Sequence, residues 1–296
     1  MSAPRRHTVA VRGADVSVVE WRPAAETQAP VLLLHGGGAD SAELSWGEVG
    51  PALAAAGHRV LAPDHPGYGR SPRLGAALTQ EHLVQYVGDL VDALGLRSYA
   101  IGGLSLGGGL VVGHLLDRPD GATSAALLGS YGLMPRLTDG MFGPIAHLST
   151  FLLLRSGLLG TMTRAYARDR KSMARGLQAL VRSPDARTPA LVDAVLAEAA
   201  TGPGLTTFGG WQRDQMRPLR LRTDYRNRLS EIRVPVLLVH GERDSGVSLK
   251  RIEEAAKSLP AGQLLVAPGA GHWVQRDRPD LVIPALREWF ARRPDA

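Results

Sequence analysis

Short apolar runs that alternate with helix-like segments constrain the fold of this chain more than any other feature of its sequence. The runs are too short for buried helices and too uniformly apolar for strands with one wet face. Six of them are "PVLLLH", "HRVLAPD", "SYAIGGLS", "TSAALLGS", "VPVLLVHGERD" and "GQLLVAPGAGH", and a hairpin, "HTVAVRG" with "DVSVVEW", precedes them. The pattern predicts an α/β protein with a doubly wound, mostly parallel sheet of eight strands.

The alternation stops between residues 133 and 230 and resumes with the strand "VPVLLVH". In between, several arginine-rich, helix-like segments are interrupted by "SPDARTP" and "TGPG", and no segment has a convincing strand pattern. We therefore predict a core domain formed by residues 1–132 and 231–296. A helical cap, residues 133–230, is predicted as an insertion after the sixth strand.

The composition excludes several kinds of chemistry. Without cysteine, the chain has no disulfide, no cysteine-based zinc site and no thiol nucleophile. The net charge of +6 comes almost entirely from arginine, which together with abundant Ala, Gly and Pro indicates GC-rich codon usage rather than a nucleic-acid partner. The apolar stretch "FLLLRSGLLG" is short and broken by Arg155. The sequence predicts a cytoplasmic protein without stable membrane insertion, metal or cofactor.

One serine stands between glycines at the end of a predicted strand, in "IGGLSLGGGL". A strand ending in "YAIGGL", then Ser105, then a helix-like segment is the context that the Gly-x-Ser-x-Gly elbow requires. Side chains at Gly103 or Gly107 would collide with neighbouring backbone in such a sharp turn. The turn also places Ser105 at a helix N-terminus, which favours negative charge. Ser105 is the candidate nucleophile, and a close-packed glycine-rich loop is the alternative.

A serine nucleophile needs a base, and a histidine and a carboxylate follow in the expected order. Asp244 comes just after the strand "VPVLLVH", and His272 comes just after "QLLVAPGAG". Because catalytic groups gather at the carboxyl ends of parallel strands, Ser105, Asp244 and His272 should share one edge of the sheet. We interpret Asp277 as a cap of the last helix and His240 as a packing or hydrogen-bonding residue.

Two backbone N–H groups are needed to stabilise an oxyanion. The segment "LLLHGGGAD" supplies glycines after the third strand, and these allow the backbone to approach a substrate closely. We assign one donor to Gly37 and the other to Leu106, directly after the nucleophile. A flexible loop is the alternative interpretation of "HGGG".

These motifs together resemble the α/β-hydrolase superfamily over essentially the whole chain. The segments that carry the resemblance are "HGGG", "DHPGYGRS", "GLSLGG", "GERD" and "GHW". The resemblance implies eight main strands, a helical cap after strand six, and Ser105, Asp244 and His272 as nucleophile, acid and base. It implies a structural turn for "DHPGYGRS".

Within the superfamily, epoxide hydrolases and haloalkane dehalogenases use an aspartate nucleophile, so Ser105 argues against both. The favoured hypothesis is a serine esterase or lactonase acting on a small or medium carboxylic ester. One alternative is a hydrolase of carbon-carbon bonds in ring-opened aromatic products, which "HGGG" and "GHW" resemble. Those enzymes usually have asparagine where this chain has Leu104. The other alternative is a non-catalytic binding protein or receptor with the same fold.

The cap should supply the roof of the pocket and part of its charge. It holds 15 Lys and Arg against 7 Asp and Glu, although arginines on a solvated surface would give the same count. We expect an apolar pocket under a positive rim, which suits aromatic or anionic small molecules, and the sequence leaves a homodimer open. The expected substrate-binding residues are Gly38, Phe151, Leu152, Phe208, Trp211 and Trp273.

Overall fold

The computed structural model describes residues 3–75, 78–167 and 169–292. Its strands are β1 (Arg5–Val11), β2 (Ala14–Trp21), β3 (Val31–Leu34), β4 (Val60–Pro63), β5 (Tyr99–Leu104), β6 (Ala122–Leu128), β7 (Val236–Gly241) and β8 (Gly262–Ala267). They form one sheet in the order β1-β2-β4-β3-β5-β6-β7-β8. The pairs β1–β2 and β2–β4 are antiparallel, and the other pairs are parallel. The predicted fold class is confirmed.

Helices cover both faces of the sheet and form the cap. They are α1 (Ala42–Trp46), α2 (Val49–Ala55), α3 (Gln80–Ala93), α4 (Leu106–Asp117), α5 (Gly143–Arg155), α6 (Leu158–Tyr166), α7 (Arg170–Leu180), α8 (Pro189–Thr201), α9 (Gly204–Gln215), α10 (Leu249–Ser258), α11 (Val274–Asp277) and α12 (Pro279–Ala291). A 3-10 helix spans Arg226–Glu231. The Thr79 side chain caps α3 by accepting a hydrogen bond from the His82 N–H. Helix α12 continues through Pro284.

Two apolar layers hold the helices against the sheet. On one face, Tyr86 and Leu90 of α3 and Leu110 of α4 are fully buried. On the other face, Leu53 of α2 and Phe290 of α12 are buried. Each side chain of this size contributes about 1.5–3 kcal/mol when it leaves water, so these two layers provide much of the driving force for folding.

The cap lies where the sequence predicted it, because α5 to α9 follow β6 and precede β7. Its buried side chains join both apolar layers, with Trp211 in one and Leu177 in the other. The division at residues 133 and 230 stays a prediction. Within the described ranges, every helix is too short or too polar to cross a bilayer.

Candidate active site

Ser105 occupies a strained turn between β5 and α4. Its φ of 52° and ψ of −113° lie in a region of backbone conformation where residues other than glycine are rarely found. A Cβ at Gly103 would lie 2.3 Å from the Gly107 carbonyl oxygen, and one at Gly107 would lie 2.2 Å from the Leu34 carbonyl oxygen. The Ser105 N–H donates to the Leu128 carbonyl (2.8 Å), which ties the turn to β6. Both flanking glycines are therefore required sterically.

His272 and Asp244 form a hydrogen-bonded pair at the ends of the last two strands. The distance from His272 Nδ1 to Asp244 Oδ2 is 2.8 Å. The other carboxylate oxygen of Asp244 accepts from the N–H groups of Gly246 (2.6 Å) and Val247 (3.1 Å). Burial raises the pKa of Asp244, but the charge and hydrogen bond of His272 outweigh burial, and the pKa lies below its usual value. The carboxylate is thus ionised and orients the imidazole.

Gly129, which the sequence analysis missed, allows this pair to lie against the end of β6. Its φ is 48°, and a Cβ there would lie 3.1 Å from His272 Nδ1 and 3.2 Å from Asp244 Oδ2. A side chain would crowd the imidazole. The available signal was a glycine directly after the strand in "TSAALLGS".

His240 is fully buried within β7, behind the pair. Its Nε2 donates to the Val247 carbonyl (3.0 Å) and lies 3.8 Å from Asp244 Oδ2. Burial lowers the pKa of His240, so the ring is neutral. It supports the loop that carries the carboxylate, in keeping with the packing and hydrogen-bonding role expected from the sequence.

The glycine loop after β3 lies beside the nucleophile. A Cβ at Gly36 would lie 3.6 Å from Ser105 Cβ. The Gly36 N–H already donates to Asp40 Oδ2 (2.8 Å), so the N–H of Gly37 is the next one along the loop. Leu106 begins α4, and the N–H groups of a first helical turn lack intrahelical partners. The assignment of Gly37 and Leu106 as oxyanion donors stays a prediction that this geometry allows.

Two further buried groups shape the glycine loop. The His65 N–H donates to His35 Nε2 (2.9 Å), so the proton of the His35 ring is on Nδ1, which donates to the Gly36 carbonyl (2.7 Å). Burial lowers the pKa of His35 to about 3, which keeps the ring neutral. Asp40 is fully buried and also accepts from the Ser45 hydroxyl, and burial raises its pKa to about 6. No sequence motif had marked Asp40 as part of the site.

Ser105 and His272 line a cavity with two chambers under the cap, of roughly 390 Å³ and 220 Å³. Both chambers also touch Leu154, Phe208 and Gln212. The side chains of the larger chamber are mostly apolar and include Met173, Leu177, Val195, Leu205 and Trp273, with Arg213 as its cation. The smaller chamber is lined by Tyr131, Met134, Trp211, Met216 and Leu221, among others. A substrate spanning both would present its central atoms to Ser105.

Four of the six expected substrate-binding residues line this cavity. Gly38, Phe208 and Trp273 line the larger chamber, and Trp211 lines the smaller one. The Phe208 and Trp211 rings stack with centroids 5.5 Å apart. The Trp211 indole also donates to Gln80 Oε1 of the core (3.1 Å), which anchors the cap to α3.

Phe151 and Leu152, the other two, line neither chamber, which corrects the expectation for them. Leu152 is 57% exposed on the outside of the cap. Phe151 is half-buried, with the Arg155 guanidinium over its ring. Because an α-helix turns 100° per residue, α5 instead directs Thr150 and Leu154 into the cavity.

Asp277 does not cap the last helix, contrary to the interpretation from the sequence. Its carboxylate accepts from the N–H groups of Gly271 (2.6 Å), Arg182 (2.8 Å) and Ser183 (2.7 Å). The first of these donors precedes His272, and the other two belong to the cap. Asp277 therefore joins the cap to the loop that carries the histidine.

Comparison with known proteins agrees with this fold. The family model of the alpha/beta hydrolase fold matches residues 29–279, and the chain therefore belongs to this family. It is similar to a 2-hydroxy-6-oxo-6-(2'-aminophenyl)hexa-2,4-dienoic acid hydrolase of Metapseudomonas resinovorans (24% identity, 90% of this chain and 85% of that one). It is also similar to epoxide hydrolase A of Mycobacterium tuberculosis (29% identity, 98% of each chain).

Among solved structures, a meta-cleavage product hydrolase from Pseudomonas fluorescens superposes with a TM-score of 0.77 at 21% identity, over 96% of each chain. At this identity the superposition shows the shared fold. The family match and the curated relatives together identify the chain as an α/β-fold hydrolase.

Proposed function

We propose that this hydrolase cleaves carboxylic esters or lactones of small to medium size through an acyl-enzyme on Ser105. The observation that carries the proposal is the position of Ser105. Its backbone is held at a positive φ, it lines two apolar chambers together with His272, and the imidazole of His272 is oriented by a buried carboxylate. This arrangement supports nucleophilic catalysis on a carbonyl carbon.

In the proposed mechanism, Ser105 Oγ attacks the carbonyl carbon while His272 Nε2 accepts its proton. The carbonyl oxygen becomes an oxyanion, which accepts hydrogen bonds from the Gly37 and Leu106 N–H groups. When the tetrahedral intermediate collapses, the imidazolium protonates the leaving alkoxide, and the acyl group remains on Ser105. Water then attacks the acyl carbon with His272 as base, and the carboxylic acid and free Ser105 are released.

The cavity supports a substrate with an apolar group on each side of the scissile bond. Each chamber can hold one of the two substituents, and the larger one, at roughly 390 Å³, has the size of a site for a compact organic molecule. The lining is mostly aliphatic, with aromatic side chains at Phe208 and Trp273. Chain length and ring content of the ester should therefore affect KM strongly.

The test compares wild type, Ser105→Ala and Ser258→Ala on a panel of p-nitrophenyl esters and lactones. Ser258 is an exposed serine of α10 and serves as the matched control. A fluorophosphonate should add one adduct to the wild type and to Ser258→Ala, seen by intact mass, and none to Ser105→Ala. Turnover by Ser105→Ala at the wild-type rate would refute the mechanism. A wild type that neither turns over esters nor takes the label would favour the non-catalytic alternative.

Carbon-carbon bond hydrolysis is the second candidate, and the names of several curated relatives favour it. One observation argues for the ester instead. Leu104 is fully buried and apolar at the position where the carbon-carbon hydrolases that the sequence resembles usually have asparagine. Loss of absorbance of a 2-hydroxy-6-oxohexa-2,4-dienoate, measured beside the esters, decides between the two. A kcat/KM for the dienoate above that of every ester would replace the first proposal with the second.

A further inference from the structure

The exposed large hydrophobic side chains of the described chain are concentrated on one part of the cap. Ten such side chains are at least about one-third exposed, and nine of them lie between residues 137 and 162. We call seven of these the cap face: Met141, Phe142, Ile145, Leu148, Leu152, Leu158 and Met162. Monomeric soluble proteins rarely expose large contiguous apolar patches, and such patches mark interaction sites.

Helical spacing explains why these side chains share a face. Ile145, Leu148 and Leu152 follow one another at intervals of three and four residues along α5, and Leu158 and Met162 do so along α6. Two other residues of the same helices, Leu154 and Leu159, line the substrate cavity. The two helices pack against each other, so this hairpin both lines the cavity and carries exposed apolar side chains.

The chain segment that carries the cap face contains arginines and no carboxylate. The sequence has no Asp or Glu between Asp139 and Asp169, but it has three arginines there, Arg155, Arg164 and Arg168. Arg155 is exposed at the end of α5 and, among the described residues, makes no ion pair within 4.0 Å. The bounding carboxylates have partners, because Asp139 binds Arg251 (2.8 Å) and Asp169 accepts from the Ser172 N–H (2.8 Å). Arg155 therefore gives the apolar cap face a cationic margin.

We propose that the cap face docks on an anionic lipid surface. An apolar helical face with arginine at its margin can enter the headgroup region while the guanidinium stays at the phosphates. A two-fold dimer through the same patch would bury Arg155 of both copies in an interface where the segment between Asp139 and Asp169 offers no carboxylate to pair it. The charge thus favours lipid over a second copy. Combined with the proposed function, on which this step rests, docking would deliver an apolar ester from the lipid phase.

Vesicle co-sedimentation tests the docking separately from catalysis. Wild type and Ser105→Ala should sediment with vesicles of phosphatidylcholine and phosphatidylglycerol, and much less with phosphatidylcholine alone. The double variant Ile145→Glu/Met162→Glu should bind at least tenfold more weakly, because binding would then bury two charged side chains in place of two apolar ones. Leu219→Glu changes a cap leucine that is 64% exposed but lies outside the cap face, and it should bind like wild type.

Each outcome supports or overturns the proposal. Wild type that stays in the supernatant with both vesicles overturns it, as does equal binding by the double variant. A wild-type dimer in light scattering that Ile145→Glu converts to a monomer would assign the face to a second copy instead. Turnover of a water-soluble ester by the double variant reports that its fold is intact. If wild type binds vesicles but hydrolyses no ester, the docking stands and the proposed function fails.

Discussion

The core edge and the cap hold their side chains in opposite ways. On the core edge, hydrogen bonds fix the polar groups, as for the carboxylates of Asp244 and Asp40, each of which has at least two backbone N–H donors. The cap lines the cavity mainly with apolar side chains, which pack without directional bonds. All ten of the exposed large hydrophobic side chains in the described ranges also belong to residues 133–230.

This difference assigns separate tasks to the two regions. Hydrogen bonds and steric restrictions give the core a single arrangement, which catalysis needs because misplacement of reacting groups by 1 Å can cost about 100-fold in rate. Apolar contacts in the cap can change with the ligand at little cost. Changes in the core should therefore lower kcat, and changes in the cap should alter KM and substrate preference.

After removal of the nucleophile itself, the largest effect should come from Asp244→Asn. An amide in place of the carboxylate favours the wrong imidazole tautomer, and kcat should fall about 10³–10⁴-fold. Asp277→Asn is the matched control, because it changes another buried carboxylate, five residues after His272 in the sequence. That variant weakens the bonds to Arg182 and Ser183 of the cap, so it should lower Tm and raise KM but change kcat less than about tenfold. Similar losses of kcat in both variants would contradict the assignment of the acid.

A smaller effect, roughly 100-fold in kcat, is expected for Gly37→Ala. A Cβ at Gly37 would lie 2.4 Å from the Phe208 ring, so either the glycine loop or the cap ring has to move. The double variant Gly37→Ala/Phe208→Ala removes the ring and should recover most of kcat if the loop otherwise keeps its position. Phe208→Ala alone should mainly raise KM. If the double variant is as slow as Gly37→Ala, the loss of kcat comes from a change in the loop itself and not from its contact with the Phe208 ring.

The same contrast explains how much the sequence could predict. All eight strands were predictable, because six are apolar runs bounded by turn residues and the first two form a hairpin, and the elbow at Ser105 was predictable because steric exclusion of side chains leaves glycines in the sequence. The side of α5 that faces the cavity was not predictable. The segment "FLLLRSGLL" is apolar on every side and has no periodicity that would favour Leu154 over Leu152. Asp40 and Asp277 were missed or misread because their partners are backbone N–H groups, which no sequence pattern marks.

The stability that Asp40 contributes should depend on pH, and replacing Asp40 should have an intermediate effect on activity. Folding raises the pKa of Asp40 from 3.8 to about 6 because the charged form is buried. A folded-state pKa above the unfolded value means that the folded protein binds the proton more tightly, so the contribution of Asp40 to stability grows as the pH falls from about 6 to 4. Two pKa units correspond to about 3 kcal/mol, and urea unfolding of wild type should show this change relative to Asp40→Asn between pH 7 and pH 4.

The activity of two Asp40 variants shows whether this residue positions the glycine loop. Asparagine can still accept from the Gly36 N–H, and alanine cannot. Asp40→Ala should lose about tenfold in kcat, with Asp40→Asn close to wild type near neutral pH. Equal kcat for Asp40→Ala and wild type, with folding intact, would leave Asp40 a role in stability alone.

The smallest effect, a change of roughly two- to fivefold, concerns the charge of the cap. Arg213 lies at the larger chamber, is exposed, and makes no ion pair within 4.0 Å among the described residues, so it can attract an anionic ester. Salt screens exposed charges beyond roughly 10 Å at about 0.1 M, so kcat/KM for an anionic ester should fall with added salt, while that of a neutral ester of equal size should hold steady. Arg213→Gln should abolish most of this salt dependence. Arg220 is an exposed arginine of the cap away from the cavity, so the Arg220→Gln variant should keep the salt dependence of the wild type. Equal salt dependence for the two esters would mean that the surplus of arginine in the cap has no part in substrate choice.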